Sequence, residues 1–528
     1  MRRLALLAVV GVVAAGCSSD GGSILESGDR PTTSVAVTDP PTGDGTEAER
    51  TGTAATGDGT SAGTDTDSDT GEATATTSPG AAATTTTVPL DALPPCPVDA
   101  LPAEGDPVEI MFWHGLNIDN EDALNRVTDE YNASQDRVRV RLENQGGYKE
   151  TIDKYFQSGQ DSRPDMVMLP DYATQRIVDS ASVVPAGACL RASGLDTAAF
   201  QASAMAAYTV GGVQWGMPFN VSNPVLYYNR TMFAAAGLDP DSPPQSLEEL
   251  RAFSQQLVDS GAAAYGISLD TGPDSGGGWF IEQWFANMGE LYSDNGNGRL
   301  GRSTRVLYDG PAGVELLSYV QALIDDGLAF NVGDNAGGGD QLLKMADQQS
   351  PAAMTIATSA ALGSVLNAVT QGLIPGVTPD DIGVGPLPGP GPTPTALVGG
   401  AALYVVADHG DDRAAAVWDF VEYLVSPEVQ SLWATLTGYV PVRADALEVE
   451  PAATVYAENP RFRVAYDQLV TTPDDVASQG PILGPQREVR AVTARAVAGI
   501  FGGEDVQAAL SAAASQANGL LADYDARN

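Results

Sequence analysis

From residue 107 to the end of the chain, short apolar runs alternate with stretches in which apolar residues recur every three or four positions, the pattern of α/β units. Residues 108–113 read as a buried strand. Residues 117–120 supply turn and N-cap side chains, after which Leu124, Val127 and Tyr131 recur at helical spacing. Residues 138–142 alternate as a second strand, 148–156 predict a helix with Ile152, Tyr155 and Phe156 on one side, and 165–169 form a third apolar run. The expected unit is a βαβαβ half-sheet, and ligands of such sheets bind beyond the carboxyl ends of the strands. Those ends fall at residues 114–117, 144–148 and 170–172.

Farther on, PFNVSNPVLYYN (residues 218–229) is extended, and its two prolines argue for an edge strand or a crossover between lobes. The turn GLDPDSPP and the helix SLEELRAFSQQLVDSG, with Ser246 as N-cap, follow it. Residues 352–358 and 402–407 predict further buried strands, separated by the proline-rich LPGPGPTPT, expected to be a flexible loop or an insertion. No period of about 20 to 50 residues recurs, which excludes a solenoid or a propeller.

Residues 18–95 are built mainly of Thr, Gly, Ala, Ser, Asp and Pro, without an aromatic residue and with 13 acids against two arginines. Such a stretch buries no core and predicts a disordered tether with a reach of about 45 to 55 Å. Ahead of it, Arg2, Arg3, the apolar residues 4–15 and the sequence Ala14-Ala15-Gly16-Cys17 have the form of a bacterial lipoprotein signal. Residues 1–16 would be removed and Cys17 would carry lipid, because an apolar stretch of this length falls short of the about 20 residues that span a bilayer. The expected location is extracytoplasmic, with the chain lipid-anchored to the bacterial membrane. Cys96 and Cys189 then remain as an even pair in an oxidising compartment, either bridged or buried as two thiols.

Charge narrows the partners. The 528 residues carry 27 Lys and Arg against 68 Asp and Glu, a net −41; setting aside the net −11 of the tether and the two signal arginines leaves −32 on residues 96–528. That field repels nucleic acid and anionic lipid surfaces. Three cysteines and two histidines are too few for a zinc ribbon, an iron–sulfur cluster or a His-rich metal site, so no cofactor and no such metal are expected; oxygen-liganded calcium or magnesium stays open. HExxH and GxxxxGK[ST] are absent, and only His114 and His409 could supply imidazole chemistry. No enzymatic activity is expected, although a carboxylate pair for glycoside hydrolysis is a three-dimensional feature that sequence leaves open.

Four stretches carry a resemblance: VEIMFWHGLNIDNEDALNRVTDEYNAS, GGYKETIDKYFQSGQDSRPDMVML, GMPFNVSNPVLYYNRTMFAAAGLDPDSPPQSLEEL and VGGAALYVVADHGDDRAAAVWDFVEYLVSPEVQSLWATLTGYVPV. Their order resembles the family 1 extracellular solute-binding proteins of ABC importers. The FWHG start, the PFNxSxPVLYYN crossover, the GGAALYVV strand and the TGYVPV turn are most similar to the glycerol-3-phosphate-binding branch. The resemblance spans about residues 107–525. It implies a two-lobed, type II-like periplasmic-binding-protein fold of α/β class, with one lobe near 107–222 and 395–441 and the other near 223–394 and 442–528. Crossing strands would join the lobes, and a ligand would close the cleft between them by hinge motion. It also implies a monomer whose partners are the membrane subunits of an ABC permease and a small molecule. That molecule is glycerol-3-phosphate or a glycerophosphodiester, or alternatively a sugar or oligosaccharide.

The resemblance also assigns residues. Tyr148 would line the cleft, Asp171 would accept bonds from glycerol hydroxyls, and Ser222 would donate to the ligand. Ser359, with Thr358 a near-equal candidate, would offer a hydroxyl and a backbone N–H to an anion. Gly399 and Gly400 would permit close backbone approach. Tyr439 and Arg490 would hold the phosphate, the arginine through its guanidinium fork, and Trp279 would stack on the ligand. The branch has a second tryptophan three residues before Trp279; here Gly276 to Gly278 occupy that stretch, and the expectation is a roomier pocket for a larger head group.

Overall fold

The computed structural model describes residues 93–528 apart from 336–337 and 392–394. The signal at 1–16, Cys17 and the tether as far as residue 92 lie outside the described residues, as do three residues of the proline-rich loop.

The chain runs through β1 (Val108–His114), β2 (Val138–Asn144), β3 (Met166–Pro170), β4 (Val183–Val184), a hairpin of β5 (Thr209–Val210) and β6 (Val213–Gln214), and β7 (Met217–Ser222). It then enters β8 (Pro224–Asn229), β9 (Tyr265–Leu269), β10 (Ala329–Asn331), β11 (Ala352–Thr358) and β12 (Ile382–Pro386), and returns in β13 (Gly399–Val406). The first sheet has the order β2-β1-β3-β13-β4, with β7 also paired to β13. Its β1 is parallel to β2 and β3, whereas β13 is antiparallel to β3, β4 and β7. The second sheet has the order β10-β9-β11-β8-β12, with β8 antiparallel to both its neighbours.

Each sheet is the spine of one lobe, because each has its own apolar core. Phe112, Val167, Leu169, Phe219, Leu403 and Trp433 meet around the first. Leu226, Ile267, Phe285, Leu316, Ile356, Val489 and Leu510 meet around the second. The segment 218–229 is therefore not one strand but two in different sheets, joined by Asn223 alone. That buried residue is anchored by amide bonds. Asn223 Nδ2 donates to the carbonyl of Ala465 (2.8 Å), and its Oδ1 accepts from Gln468 Nε2 (3.1 Å). Gln468 Nε2 also reaches the Pro224 carbonyl (2.9 Å), and Gln468 Oε1 accepts from the N–H of Leu387, just past β12 (2.7 Å). The helix Arg461–Thr471 thus ties together the two places where the chain changes sheets.

Cys96 and Cys189 form a disulfide with a Cα separation of 4.8 Å. Leu93 is buried in the same core as Cys96, so packing starts inside the stretch read as tether; one large aliphatic side chain there suffices to bury. Ser246 caps the helix Leu247–Asp259, accepting from the N–H of Glu249 at 3.1 Å. Among the described residues no helix is long and apolar enough to cross a membrane.

Candidate ligand-binding cleft

The helix Gln486–Phe501 turns Gln486, Val489, Arg490, Thr493 and Val497 inward at three- and four-residue spacing. Arg490 is only 2% exposed, and a guanidinium buried so deeply needs charged partners. Its Nε and Nη2 form a fork onto Glu282 at 2.8 and 2.7 Å, Nη2 reaches Asp171 Oδ2 at 3.1 Å, and Nη1 stands 4.0 Å from Asp274. Glu282 is the one acid of the otherwise apolar and amide-bearing helix Trp279–Met288, and Gln486 donates to it as well, at 3.4 Å. The ring of Tyr172 lies 5.1 Å from the guanidinium carbon, within cation–π range.

Burial by itself disfavours the charged guanidinium, but the carboxylates of Glu282, Asp171 and Asp274 outweigh it and hold the Arg490 proton well above the usual arginine range. Burial pushes the Asp171 carboxyl up to about 6, against the pull of Arg490 and with the repulsion of Glu282 adding to it. Three carboxylates thus surround one guanidinium, an excess of negative charge if all are ionised.

In front of this cluster is a small cavity of ≈ 20 Å³, lined by Asp171, Trp279, Glu282, Arg299, Leu397 and Gln486 among others. Asp171 follows the end of β3 and Trp279 opens its helix, so the two lobes meet here. Two glycines of β13 make the approach possible. A Cβ on Gly399 would stand 2.4 Å from the Trp279 ring, and one on Gly400, whose φ is +93°, would stand 1.9 Å from the Asn220 carbonyl oxygen. Beside them Asn220 Nδ2 donates to the Tyr148 hydroxyl (2.6 Å), and Ser222, opposite Gly399 in the β7–β13 register, has a buried hydroxyl with no partner among the described residues.

Asp171 and Trp279 therefore share one cavity, with Arg490 behind Asp171 and Glu282, while Tyr148, Ser222, Gly399 and Gly400 form an adjoining patch. Ser359 has other work. Its backbone N–H donates to the Asn223 carbonyl (2.8 Å) and its hydroxyl accepts from the Asn223 N–H (3.3 Å), so the N–H assigned to an anion fastens the crossover instead, while the hydroxyl keeps its own proton to donate. Thr358 caps its own turn, accepting from the N–H of Ala360 at 3.3 Å. Tyr439 is buried and stacked on Trp433, centroids 6.0 Å apart. The roomier pocket expected at Gly276 to Gly278 is not there. A Cβ at these positions would stand 2.0 to 2.2 Å from the carbonyl oxygens of Asp270, Thr271 and Pro273, so backbone fills the space.

Glu282 and Asp274 had no signal beyond being acids in a chain of many. Arg299, in the turn-rich NGNGRLGRS, had none at all. Among the described residues no group of three or more His, Cys, Asp or Glu side chains is arranged to hold a metal ion.

Two α/β lobes, three crossings and a polar cavity at the strand ends form a ligand-trapping frame, and comparison with known proteins agrees. Residues 126–463 match the model of a bacterial extracellular solute-binding protein family. This chain belongs to that family. It is 26% identical over 436 residues to the sn-glycerol-3-phosphate-binding periplasmic protein UgpB of Yersinia pseudotuberculosis, covering 80% of this chain and 94% of the relative. Its fold matches UgpB from Mycobacterium tuberculosis, solved with glycerophosphocholine, at a TM-score of 0.64 and 21% identity over 80% of this chain and 99% of that one. The cyclic alpha-maltosyl-1,6-maltose binding protein from Arthrobacter globiformis matches at 0.63 and 24% identity, over 79% and 99%. The fold is thus the two-lobed periplasmic-binding-protein fold. The chain is an extracytoplasmic ABC solute-binding protein, which takes a small-molecule ligand to a permease and catalyses no reaction.

Proposed function

We propose that this solute-binding protein is a lipid-anchored receptor for a glycerophosphodiester whose head group is cationic or neutral. The observation that carries this reading is the carboxylate excess around Arg490 beside Trp279 and Tyr172. The relatives named for glycerol-3-phosphate direct attention to glycerophosphate-type ligands. Among these, a free phosphomonoester dianion meets both the net −32 of the globular part and the local carboxylates, whereas a diester bears one negative charge and an ammonium head group would offset it. Aromatic faces and carboxylates suit such a cation. In the same reading Cys17 carries the lipid, and the lobes divide near residues 222 and 395 and again near 441.

A sugar or oligosaccharide is the second reading. It is favoured because Arg490 Nε and Nη2 are already spent on Glu282 and Asp171. Carboxylates and Trp279 would then bind hydroxyl groups and a sugar face. Thermal-shift and calorimetric titration with glycerophosphocholine, glycerol-3-phosphate, maltose and trehalose separates the readings. A ligand at a hundredfold excess over Kd raises stability by about 2.7 kcal/mol. Stabilisation by the sugars alone rejects the diester reading.

A further inference from the structure

We infer that Arg299, rather than Arg490, is the cation that receives the anionic group of the ligand; this rests on the reading of the cavity as the site of a phosphodiester. The two arginines differ in where they stand and in what neutralises them. Arg490 sits behind Glu282 and Asp171 and does not line the cavity, whereas Arg299 lines it directly, together with Asp171 and Trp279. Arg490 is surrounded by carboxylates. Arg299 donates only to backbone carbonyls: Nε to Gly480 (2.8 Å), Nη1 to Ala206 (2.9 Å) and Thr209 (3.4 Å), and Nη2 to Gln479. Among the described residues it forms no ion pair.

These bonds occupy four of the five guanidinium N–H groups and leave one on Nη2. They fix the head group without cancelling its charge, and that is what a pre-organised anion site requires. The backbone around it is equally constrained. Asn295, Gly296, Asn297 and Gly298 all have positive φ, a Cβ on Gly298 would stand 2.1 Å from the Ile482 carbonyl oxygen, and the N–H of Ile482 donates to the Asn297 carbonyl at 2.8 Å. Burying an uncompensated guanidinium is costly, and an anion arriving with the ligand would relieve that cost. The lining of the cavity then combines the carboxyl groups of Asp171 and Glu282 with the cation of Arg299. Because Ala206 and Thr209 precede β7 while Gly480 belongs to the loop leading into the helix Gln486–Phe501, an anion at Arg299 would also bind at the junction of the lobes.

Calorimetry with glycerophosphocholine on the wild type, Arg299→Gln and Arg299→Lys tests this. Losing a charged hydrogen bond and its charge should weaken binding about ten- to a hundredfold in Arg299→Gln. Arg299→Lys keeps the charge but not the carbonyl fork, and should stay within about fivefold of wild type. If Arg299 only staples the fold, both variants would weaken alike, and that overturns the inference. So would Arg299→Gln binding as wild type does, which leaves the receptor assignment standing. A wild type that binds no phosphate ester overturns both. Should the variants fail to fold, the wild-type crystal structure with glycerophosphocholine decides: phosphorus beside Arg299 supports the inference, and phosphorus beside Arg490 overturns it.

Discussion

Replacing Arg490 by Met isolates the charge balance on which the cleft depends. At an effective dielectric near 20, a carboxylate about 3 Å away attracts the guanidinium by about 5 kcal/mol gross, and most of that repays desolvation. Removing the cation leaves Glu282 (2% exposed), Asp171 and Asp274 facing one another without it. Breaking a buried pair from one side costs about 3 to 5 kcal/mol, and that is the expected loss in Arg490→Met near pH 8. Without the guanidinium the folded-state carboxyls titrate above their unfolded values. The folded variant therefore binds more protons than the unfolded one in mildly acid solution, and its deficit should shrink as pH falls toward about 5. Urea unfolding followed by tryptophan fluorescence at both pH values measures this. A loss below about 1 kcal/mol, or one that does not change with pH, would refute the view of Arg490 as the counter-ion of a buried acid cluster.

Asp171 makes its own pH signature. Its folded-state carboxyl titrates at about 6 against an ordinary 3.8, so the native state holds the extra proton between those values and stability falls as pH rises through them. Asp171→Asn should equal wild type near pH 4 and exceed it by about 3 kcal/mol near pH 8, read from denaturation curves. Gly400→Ala should cost about 2 to 4 kcal/mol, because its Cβ would overlap the Asn220 carbonyl at a left-handed φ, and calorimetric melting would show it. Replacing Cys96 and Cys189 by Ser opens a loop with a sequence separation of 93 and should cost about 2 to 4 kcal/mol of unfolding free energy in urea.

The first half-sheet was legible because its strands and helices have clean periods: β1, β2 and β3 lie within two residues of the apolar runs that announced them. The crossover was legible only in part. Nothing in the alternation of residues 218–229 marks Asn223 as the point where the chain changes sheets, since both halves are extended and apolar. The site divides similarly. Asp171 and Trp279 stand at element ends, where strand and helix signals point, and both reach the cavity. What Arg490 does there depends on Glu282, 208 positions away in sequence, and no local pattern encodes that meeting. Gly276 to Gly278 misled for a related reason: a missing side chain suggests space, but here three backbone carbonyls occupy it.

If the ligand lies between the lobes, against Asp171 and Trp279, a crystal structure of the protein grown with glycerophosphocholine will show it there. The diester is expected in that cavity, with its head group toward Asp171 and Glu282. Density for the ligand outside the cleft, for example in the apolar pocket of Leu342, Met345 and Leu373, would contradict it.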